Sequence, residues 1–460
     1  MNIIKRLSLF LLTILFAFTS FCQSNNYEPT HRYSVNDLKA DFQFLRITIE
    51  KTHPNLYLYT SKAEFKSFFD SLYNSMTMSL TELEFYNLIT LLNSKIRDGH
   101  TMFLPSQEEM NYSNQKDKFF PFYVMISCDK LYVNMNCSPD TSITEGAELL
   151  RINGINTSVI IKQLLLRQIR DGYNSTYPVW ILTNYFKEYF GFSFGHPELF
   201  SITSKTVNME RKSVINALPK DSINYFRNAK YSNRISLTDK NQGITLNIDK
   251  QLNLARLSIK SFDREKLNSI YRQDFDSTIS RMFNEIDSAR VDNLILDVRN
   301  NQGGDFEPGR ILLSYLLRQP VRYLFGSKEA KTIFPQKNSF KGNLFTLING
   351  GSFSSTAIVC SYLELTKRSV FIGDETAGNK VIISGDPIDI TLPHTRILCE
   401  ISTEKYLIRN SDNNGHGIKP DYHITPTIDD VISNRDVTME FALKLTQKIA
   451  SAQDTRYHKN

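Results

Sequence analysis

The sequence predicts an α/β protein with a helical N-terminal region and a β-rich middle segment. Two observations lead to this prediction. From Gly243 to about Ile449, short apolar runs alternate with segments whose apolar residues recur at helical spacing, a pattern typical of a sheet flanked by helices. Within this region an apolar run twice ends at a glycine-rich turn that leads into a helix. Only the second turn carries a cluster of serines.

The composition is that of an ordinary globular protein. At 460 residues, the chain has room for several domains and at least one large core. The formal net charge of +6 is spread over the whole length, without a run of five like charges. Nucleic-acid-binding proteins usually cluster their basic residues, so we expect no nucleic-acid partner.

The first 22 residues resemble a secretory signal peptide. Lys5 and Arg6 precede a mostly apolar run from Leu7 to Phe18, and a polar exit follows. We expect cleavage after Cys22 and export to the periplasm or the extracellular space. A lipid anchor on Cys22 is the alternative. No later stretch is long and apolar enough to predict an integral membrane span.

Four cysteines remain in the predicted mature chain, namely Cys128, Cys137, Cys360 and Cys399. Export permits disulfides, and Cys128 could bridge Cys137 across a hairpin, but the sequence does not choose among the three pairings. The chain lacks CxxC and HExxH spacings, so we predict neither a metal site nor a cofactor.

Four segments follow the signal peptide. Residues 33–105 form a predicted helical cap whose three helices have apolar stripes, and the cap ends at the Asp-Gly-His-Thr loop 98–101. Residues 119–168 show the alternation of short strands. Residues 169–240 form a predicted linker rich in aromatic residues, in which Pro178 and the glycines of 191–195 argue against one long helix. Residues 243–450 form the predicted α/β core.

The two glycine-rich turns contain the candidate chemistry. Residues 294–304 run from a buried strand into Gly303 and Gly304, and a glycine turn can direct backbone N–H groups at a developing negative charge. About fifty residues on, Ser354 lies where a similar turn enters a helix, next to the amide of Ser355. A serine nucleophile beside such donors suggests acyl transfer. The alternative is that these serines only cap a helix.

A serine nucleophile needs a base within hydrogen-bond reach. His100, in the loop that directly follows the helical cap, is the best candidate. His416, in Asn-Gly-His-Gly-Ile, is the second choice. His53 precedes Pro54 at the end of a helix, and we interpret it as structural.

Together the motifs resemble a known family. The segments LILDVRNNQGG, NGGSFSS, FIGDETAG and GHGIKPD, in this order and spacing, are similar to the tail-specific (C-terminal-processing) serine proteases, and in particular to the branch near the tricorn core and the retinoid-binding-protein repeats. The likeness covers about residues 245–425. It implies a crotonase/ClpP-like α/β core. Gly146 to Leu166 resembles the end of a PDZ-like module, which in this family binds substrate C-termini.

The resemblance implies roles for particular residues. Ser354 aligns with the nucleophile, and Gly303 or Gly304 with the amide of Ser355 aligns with the oxyanion hole. Many members use a lysine base directly after a Thr-x-Gly turn, but here Asn379 holds that place, which leaves Lys380 as an alternative base. The tricorn-like branch uses a histidine, which His100 matches.

That branch also has a distant glutamate behind the histidine, and Asp412 is the nearest acid in the matching stretch of this chain. Asp98 or Glu375 could orient the imidazole instead. Asp297 and Arg299 lie in the matching strand, and we interpret them as a pair that braces the oxyanion turn.

The predicted function is therefore that of an exported serine endopeptidase that hydrolyses polypeptides with Ser354 and His100. The alternative is a non-catalytic binding protein of the same fold that holds a hydrophobic ligand or a peptide. We do not expect a nucleotide-binding function, since the chain lacks GxxxxGK[ST] and has no GxGxxG after the strand.

Overall fold

The computed structural model describes residues 27–207, 209–234 and 242–457. The predicted signal peptide 1–22, with Cys22, lies outside the described residues. The helices are α1 (Val35–Thr52), α2 (Lys62–Ser75), α3 (Glu82–Ile89), α4 (Asn93–Ile96), α5 (Gln107–Lys116), α6 (Thr157–Leu166), α7 (Thr176–Phe194), α8 (Lys220–Tyr231), α9 (Arg264–Tyr271), α10 (Phe275–Ala289), α11 (Phe306–Leu316), α12 (Ser355–Leu365), α13 (Ile428–Ile432) and α14 (Val437–Tyr457).

The strands are β1 (Met102–Leu104), β2 (Phe122–Ser127), β3 (Lys130–Asn136), β4 (Glu148–Ile152), β5 (Ile155–Asn156), β6 (Leu199–Thr206), β7 (Met209–Asn216), β8 (Ile244–Asp249), β9 (Leu254–Ile259), β10 (Asn293–Asp297), β11 (Val321–Tyr323), β12 (Lys331–Ile333), β13 (Asn343–Ile348), β14 (Ser369–Gly373), β15 (Ile382–Gly385), β16 (Ile388–Thr391), β17 (Leu398–Ile401), β18 (Glu404–Leu407) and β19 (Tyr422–His423).

The chain divides into two compact units, and neither is continuous in sequence. Unit 1 comprises residues up to Gly172, Ile181–Tyr231 and Ser384–Lys405. Unit 2 comprises Tyr173–Trp180, Ser232–Ile383 and the residues from Tyr406 onward. The division expected from sequence into a cap, a middle segment, a linker and a core therefore differs from the division by contacts. The segment 384–405, expected in the core, groups with the N-terminal helices.

The N-terminal helices of unit 1 form where their caps predict. The Ser34 hydroxyl accepts a hydrogen bond from the Asp37 amide, and α1 ends before His53. Thr81 and Glu84 form a complete capping box at α3. The apolar stripes of these helices pack into one core, which also takes in Cys399 and Ile401 from β17. Strand β1 pairs with β17, and β17 with β16.

A second sheet of unit 1 has the strand order β2-β3-β4-β6-β7, with β5 added beside β4. Its pairs are antiparallel. The predicted linker 169–240 instead contains α7, β6, β7 and α8. Strand β7 is mostly exposed, so its sequence has no alternating apolar face that would have marked it as a strand.

As the sequence suggested, this region does not form one regular long helix, but the break lies at Tyr185 rather than at Pro178 or Gly191. Helix α7 runs from Thr176 to Phe194 with a kink at Tyr185. Pro178 lies in the first turn, where a helix needs no donor from it, and Asn174 caps the amide of Tyr177. Gly191 makes room for a ring, because a Cβ there would lie 2.2 Å from Cε1 of His196.

Unit 2 contains a six-stranded sheet with the order β19-β14-β13-β10-β9-β8. Its neighbouring strands are parallel except for β8, which is antiparallel to β9. The buried central strands β10 and β13 are adjacent, with Asp297 opposite Leu347. Because parallel strands end at the same edge, the two glycine-rich turns that follow them are neighbours. This arrangement brings the candidate catalytic residues of the two turns together at one edge of the sheet.

All four cysteines in the described part of the chain are free. Cys128 lies in the turn between β2 and β3, whereas Cys137 follows the far end of β3 and is opposite Pro121. The length of a strand therefore separates the two, and the disulfide considered from sequence does not form. No helix among the described residues is both long enough and apolar enough to cross a membrane.

Candidate active site

Ser354 has a backbone conformation that side chains rarely adopt. It lies at the start of α12 with φ +54° and ψ −125°, and positive φ in a residue other than glycine is strained. Its side chain makes no capping hydrogen bond to α12. Ser354 therefore does not have the helix-capping role that was its alternative. Such a strained turn between a strand and a helix is typical of nucleophilic serines.

The other serines of the turn have different surroundings. The Ser352 hydroxyl donates to the carbonyl of Val298 at 2.9 Å and accepts from the Asn349 amide at 3.2 Å, which ties the two turns together. The Ser355 side chain is fully buried. Its backbone amide is in the first turn of α12, where the N–H groups have no intrahelical acceptor and the helix dipole favours negative charge.

Gly303 lies against the serine turn. It has φ +92°, and a Cβ built on it would be 2.8 Å from the Ser354 Cβ and 2.9 Å from the Ser355 nitrogen. Its own N–H donates to Asn301 Oδ1 at 2.9 Å. The N–H of Gly304 has no acceptor within the described part of the chain. Gly303 thus lets the glycine turn pack closely against Ser354, whereas Gly304 has the backbone N–H that is available to donate.

Asp297 and Arg299 form the ion pair that the sequence suggested. The Arg299 guanidinium donates to Asp297 at 2.9 and 2.6 Å and to Asp436 at 2.7 Å through two nitrogens. These residues fasten the end of β10, from which the first turn leaves, to the residue that precedes α14. Their role is thus structural.

Replacing Arg299 with methionine is expected to lower the free energy of unfolding by about 1.5–3 kcal/mol, because the largely buried carboxylate of Asp297 and the more exposed one of Asp436 lose their shared hydrogen-bond donor. Urea denaturation would measure the loss. The matched control is Arg281→Met, since Arg281 and Glu285 form an exposed pair on one helix that should contribute less than about 0.5 kcal/mol. Equal losses in the two variants would contradict the bracing role.

The two alternative basic groups of unit 2 have acidic partners. Lys380 Nζ is 3.2 Å from Glu364 Oε1, and Arg409 pairs with the same carboxylate. His416 Nδ1 is 3.1 Å from Glu375 Oε1, which also accepts the amide of Gly417 at 2.8 Å. Glu375 therefore orients His416. Asp412 is exposed in the loop before these residues.

His100 belongs to unit 1 and is 8 % exposed. Burial lowers the pKa of its imidazole, while the charges of Asp98 and Asp386 act in the opposite direction. From sequence, Asp98 is only one of the acids that could orient this imidazole, and the place of His53 at a helix end suggests a structural role. In the structure these two side chains form a hydrogen bond, with His53 Nε2 at 2.7 Å from Asp98 Oδ2.

One group in the described part of the chain has the composition of a metal site. Asp98, His100 and Asp171 each offer a ligand atom, and these atoms lie within 4.8 Å of one another. The carboxylates already accept hydrogen bonds from the 98–101 loop, at 2.8 Å from the Gly99 amide and 2.9 Å from the His100 amide. We therefore assign this cluster to holding the loop.

A strained serine at a helix start, beside a glycine turn with an open N–H, defines a serine hydrolase type of site. Comparisons with known proteins show which family this part of the chain resembles. Residues 253–424 match the model of Peptidase family S41. Over these residues the chain is similar to that family of serine-type peptidases, as its motifs indicated. No curated protein matches the chain.

The solved structures of mature CPAF share the fold. The crystal structure of mature CPAF has a TM-score of 0.66 at 13% identity, over 90% of this chain and 97% of that one. Mature CPAF complexed with lactacystin has the same TM-score and identity, over 90% and 98%. At this identity the likeness concerns the fold alone. The photosystem II D1 C-terminal processing protease has a TM-score of 0.42 at 13% identity, over 86% of this chain and 96% of that one.

Proposed function

We propose that the protein is an exported serine endopeptidase in which Ser354 attacks the scissile carbonyl of a polypeptide. The strained backbone of Ser354, with Gly303 packed against it, is the observation that carries this proposal. A residue is held in such a conformation only when its surroundings enforce it, and such sites are commonly functional. A binding protein of the same fold would have no need of that strain.

The amides of Gly304 and Ser355 are the proposed donors to the oxyanion. Gly303, named with them from sequence, would contribute the space rather than the hydrogen bond, because Asn301 already accepts its N–H. Removal of one such donor typically costs about 3–4 kcal/mol in the barrier. We also propose that the surrounding core has a crotonase/ClpP-like fold, for which its parallel sheet is the expected feature.

His100 is the proposed base, which would take the serine proton and return it to the leaving amine. Burial favours its neutral form, the form that a base needs. Lys380 is the weaker choice, because Glu364 holds its ammonium. The sheet of β2 to β7 with α6 is the proposed PDZ-like module that would deliver the substrate's C-terminus. Export rests on the predicted signal peptide.

The pH dependence should follow from the burial of His100. We expect the acidic limb of kcat/KM to have its midpoint below pH 6.5, the ordinary pKa of histidine, since a lowered pKa keeps the base neutral to lower pH. Initial rates from about pH 4.5 to pH 8 would measure the midpoint. A midpoint above 6.5 would show that Asp98 and Asp386 outweigh burial.

Cleavage of an unfolded polypeptide by the protein starting at Gln23 tests the proposal. Wild type should cleave, His100→Ala should lose about 10²–10⁴-fold in kcat, and Lys380→Ala should retain most activity. Loss in Lys380→Ala but not in His100→Ala would establish a lysine base instead. If wild type neither cleaves nor reacts with a fluorophosphonate, the binding-protein alternative replaces the enzyme.

A further inference from the structure

The loop that carries His100 is held by buried carboxylates rather than by regular structure. It follows α4 and Arg97, which has positive φ. Asp98 Oδ1 accepts the His100 amide at 2.9 Å, and Asp98 Oδ2 accepts the Thr101 hydroxyl at 3.0 Å. Asp171 accepts the Gly99 amide at 2.8 Å. The backbone amides of Gly99 and His100 and the side chain of Thr101 are therefore held by carboxylates of unit 1.

The hydrogen bonds of His53 determine its tautomer. Its Nδ1 accepts the backbone N–H of Asn55 at 3.1 Å, and a backbone N–H can only donate. The ring hydrogen must then be on Nε2, which is 2.7 Å from Asp98 Oδ2 and donates to it. His53 is thus a neutral donor, and it adds a hydrogen bond to Asp98 without removing its negative charge.

Asp98 keeps that charge next to the imidazole. Burial by itself raises the pKa of Asp98, but the hydrogen bond from His53, the electrostatic attraction to the His53 and His100 rings and the hydrogen bond from the His100 amide together outweigh it and hold the pKa below the ordinary value. The distance from Asp98 Oδ1 to His100 Nδ1 is 3.9 Å. That is too long for a hydrogen bond but short enough for a strong charge interaction in a buried site.

We infer that Asp98, held by His53, is the positioning carboxylate of His100. It would fix the loop through the His100 amide and stabilise the imidazolium that forms when the base takes the serine proton. This inference rests on the proposed function. It replaces Asp412, the acid suggested by resemblance, with a residue two positions before the base, and it gives His53 a role that its place at a helix end did not suggest.

The first test combines Asp98→Asn with the pH dependence of cleavage. We expect kcat to fall about 10- to 100-fold with KM little changed, and the acidic limb to move down by about 1–3 pH units, because an opposite charge at this distance raises a histidine pKa by that much. A purely structural role would lower activity without moving the limb. Asp41→Asn is the matched control, since Asp41 is an equally buried carboxylate that accepts the His394 and Thr395 amides.

His53 provides the second test. In His53→Gln the amide nitrogen can donate from the position of Nε2, so activity should stay near that of wild type, whereas His53→Leu should lower kcat about tenfold. This pair decides the question if Asp98→Asn does not fold. Equal activity in the two variants would overturn the role of His53, and an Asp412→Asn variant that moves the limb while Asp98→Asn does not would overturn that of Asp98.

An NMR titration of histidine-labelled protein separates this inference from the proposed function. With the His100 signal assigned from His100→Ala, its pKa should be lower in Asp98→Asn than in wild type, whether or not the protein cleaves peptides. An unchanged pKa would refute the inference alone. Full cleavage by His100→Ala would refute the choice of base, whereas a wild-type protein that neither cleaves nor reacts with a fluorophosphonate would refute the proposed function.

Discussion

Replacing Ser354 with alanine is expected to abolish peptide hydrolysis, with a fall in kcat of at least about 10³-fold. The nucleophile would be lost, while the amides proposed to bind the oxyanion would remain. Folding should survive, because the Ser354 side chain does not cap α12. Cleavage of an unfolded polypeptide and labelling by a fluorophosphonate would measure the loss, and both signals should vanish together.

Thr356→Val is the matched control for this variant. Thr356 is fully buried in the same helix, and its hydroxyl has no hydrogen-bond partner among the described residues. Replacing an unpartnered hydroxyl by a methyl group of similar shape should leave activity and stability nearly unchanged, or raise stability slightly. If Ser354→Ala kept even a tenth of the wild-type rate, Ser354 would not be the nucleophile.

The second large effect is expected for Gly303→Ala. A methyl group at this position would press on the Ser354 Cβ, the Phe353 carbonyl and the Ser355 nitrogen, all less than 3 Å away. It would also occupy a backbone with φ +92°, which alanine disfavours. The serine and glycine turns must then separate, so we expect kcat to fall about 10²–10³-fold, as when an oxyanion donor is removed.

Gly326→Ala separates the two causes. Gly326 also has positive φ, +65°, but a Cβ there would meet nothing within 4 Å. It therefore reports the conformational cost alone, about 1–2 kcal/mol of stability, with activity retained. Steady-state kinetics and thermal unfolding of both variants would distinguish them. Similar kinetics for the two would show that contact with Ser354 does not matter.

Sequence patterns located the turns of the site but not their geometry. The apolar runs before Gly303 and Ser354 predict two buried strands, and parallel neighbours end at one edge, so the neighbourhood of the two turns could be anticipated. The positive φ of Ser354 could not be anticipated, because the packing of the second turn imposes this backbone strain. The sequence also could not predict that the Asn301 side chain accepts a hydrogen bond from the N–H of Gly303.

Partnerships across long separations in sequence were also beyond prediction. His53 and Asp98 are 45 residues apart, and each has a local explanation, one at a helix end and one at a loop start. Gly191 suggested a break in α7. The actual reason for a glycine there, the close packing of the His196 ring, cannot be read from a helical pattern. The tail-specific family resemblance succeeded where local rules could not, since its motifs lie on turns that the fold brings together.

The chain division has a consequence for biogenesis. The N-terminal part of unit 1 needs residues that are translated much later. Strand β1 pairs with β17, and Asp41 accepts the amide of His394, which lies 353 positions further on, and that of Thr395. A nascent chain that ends before residue 384 leaves that edge of β1 and that carboxylate without their partners. The N-terminal region can therefore complete these contacts only when the segment 384–405 is available to it.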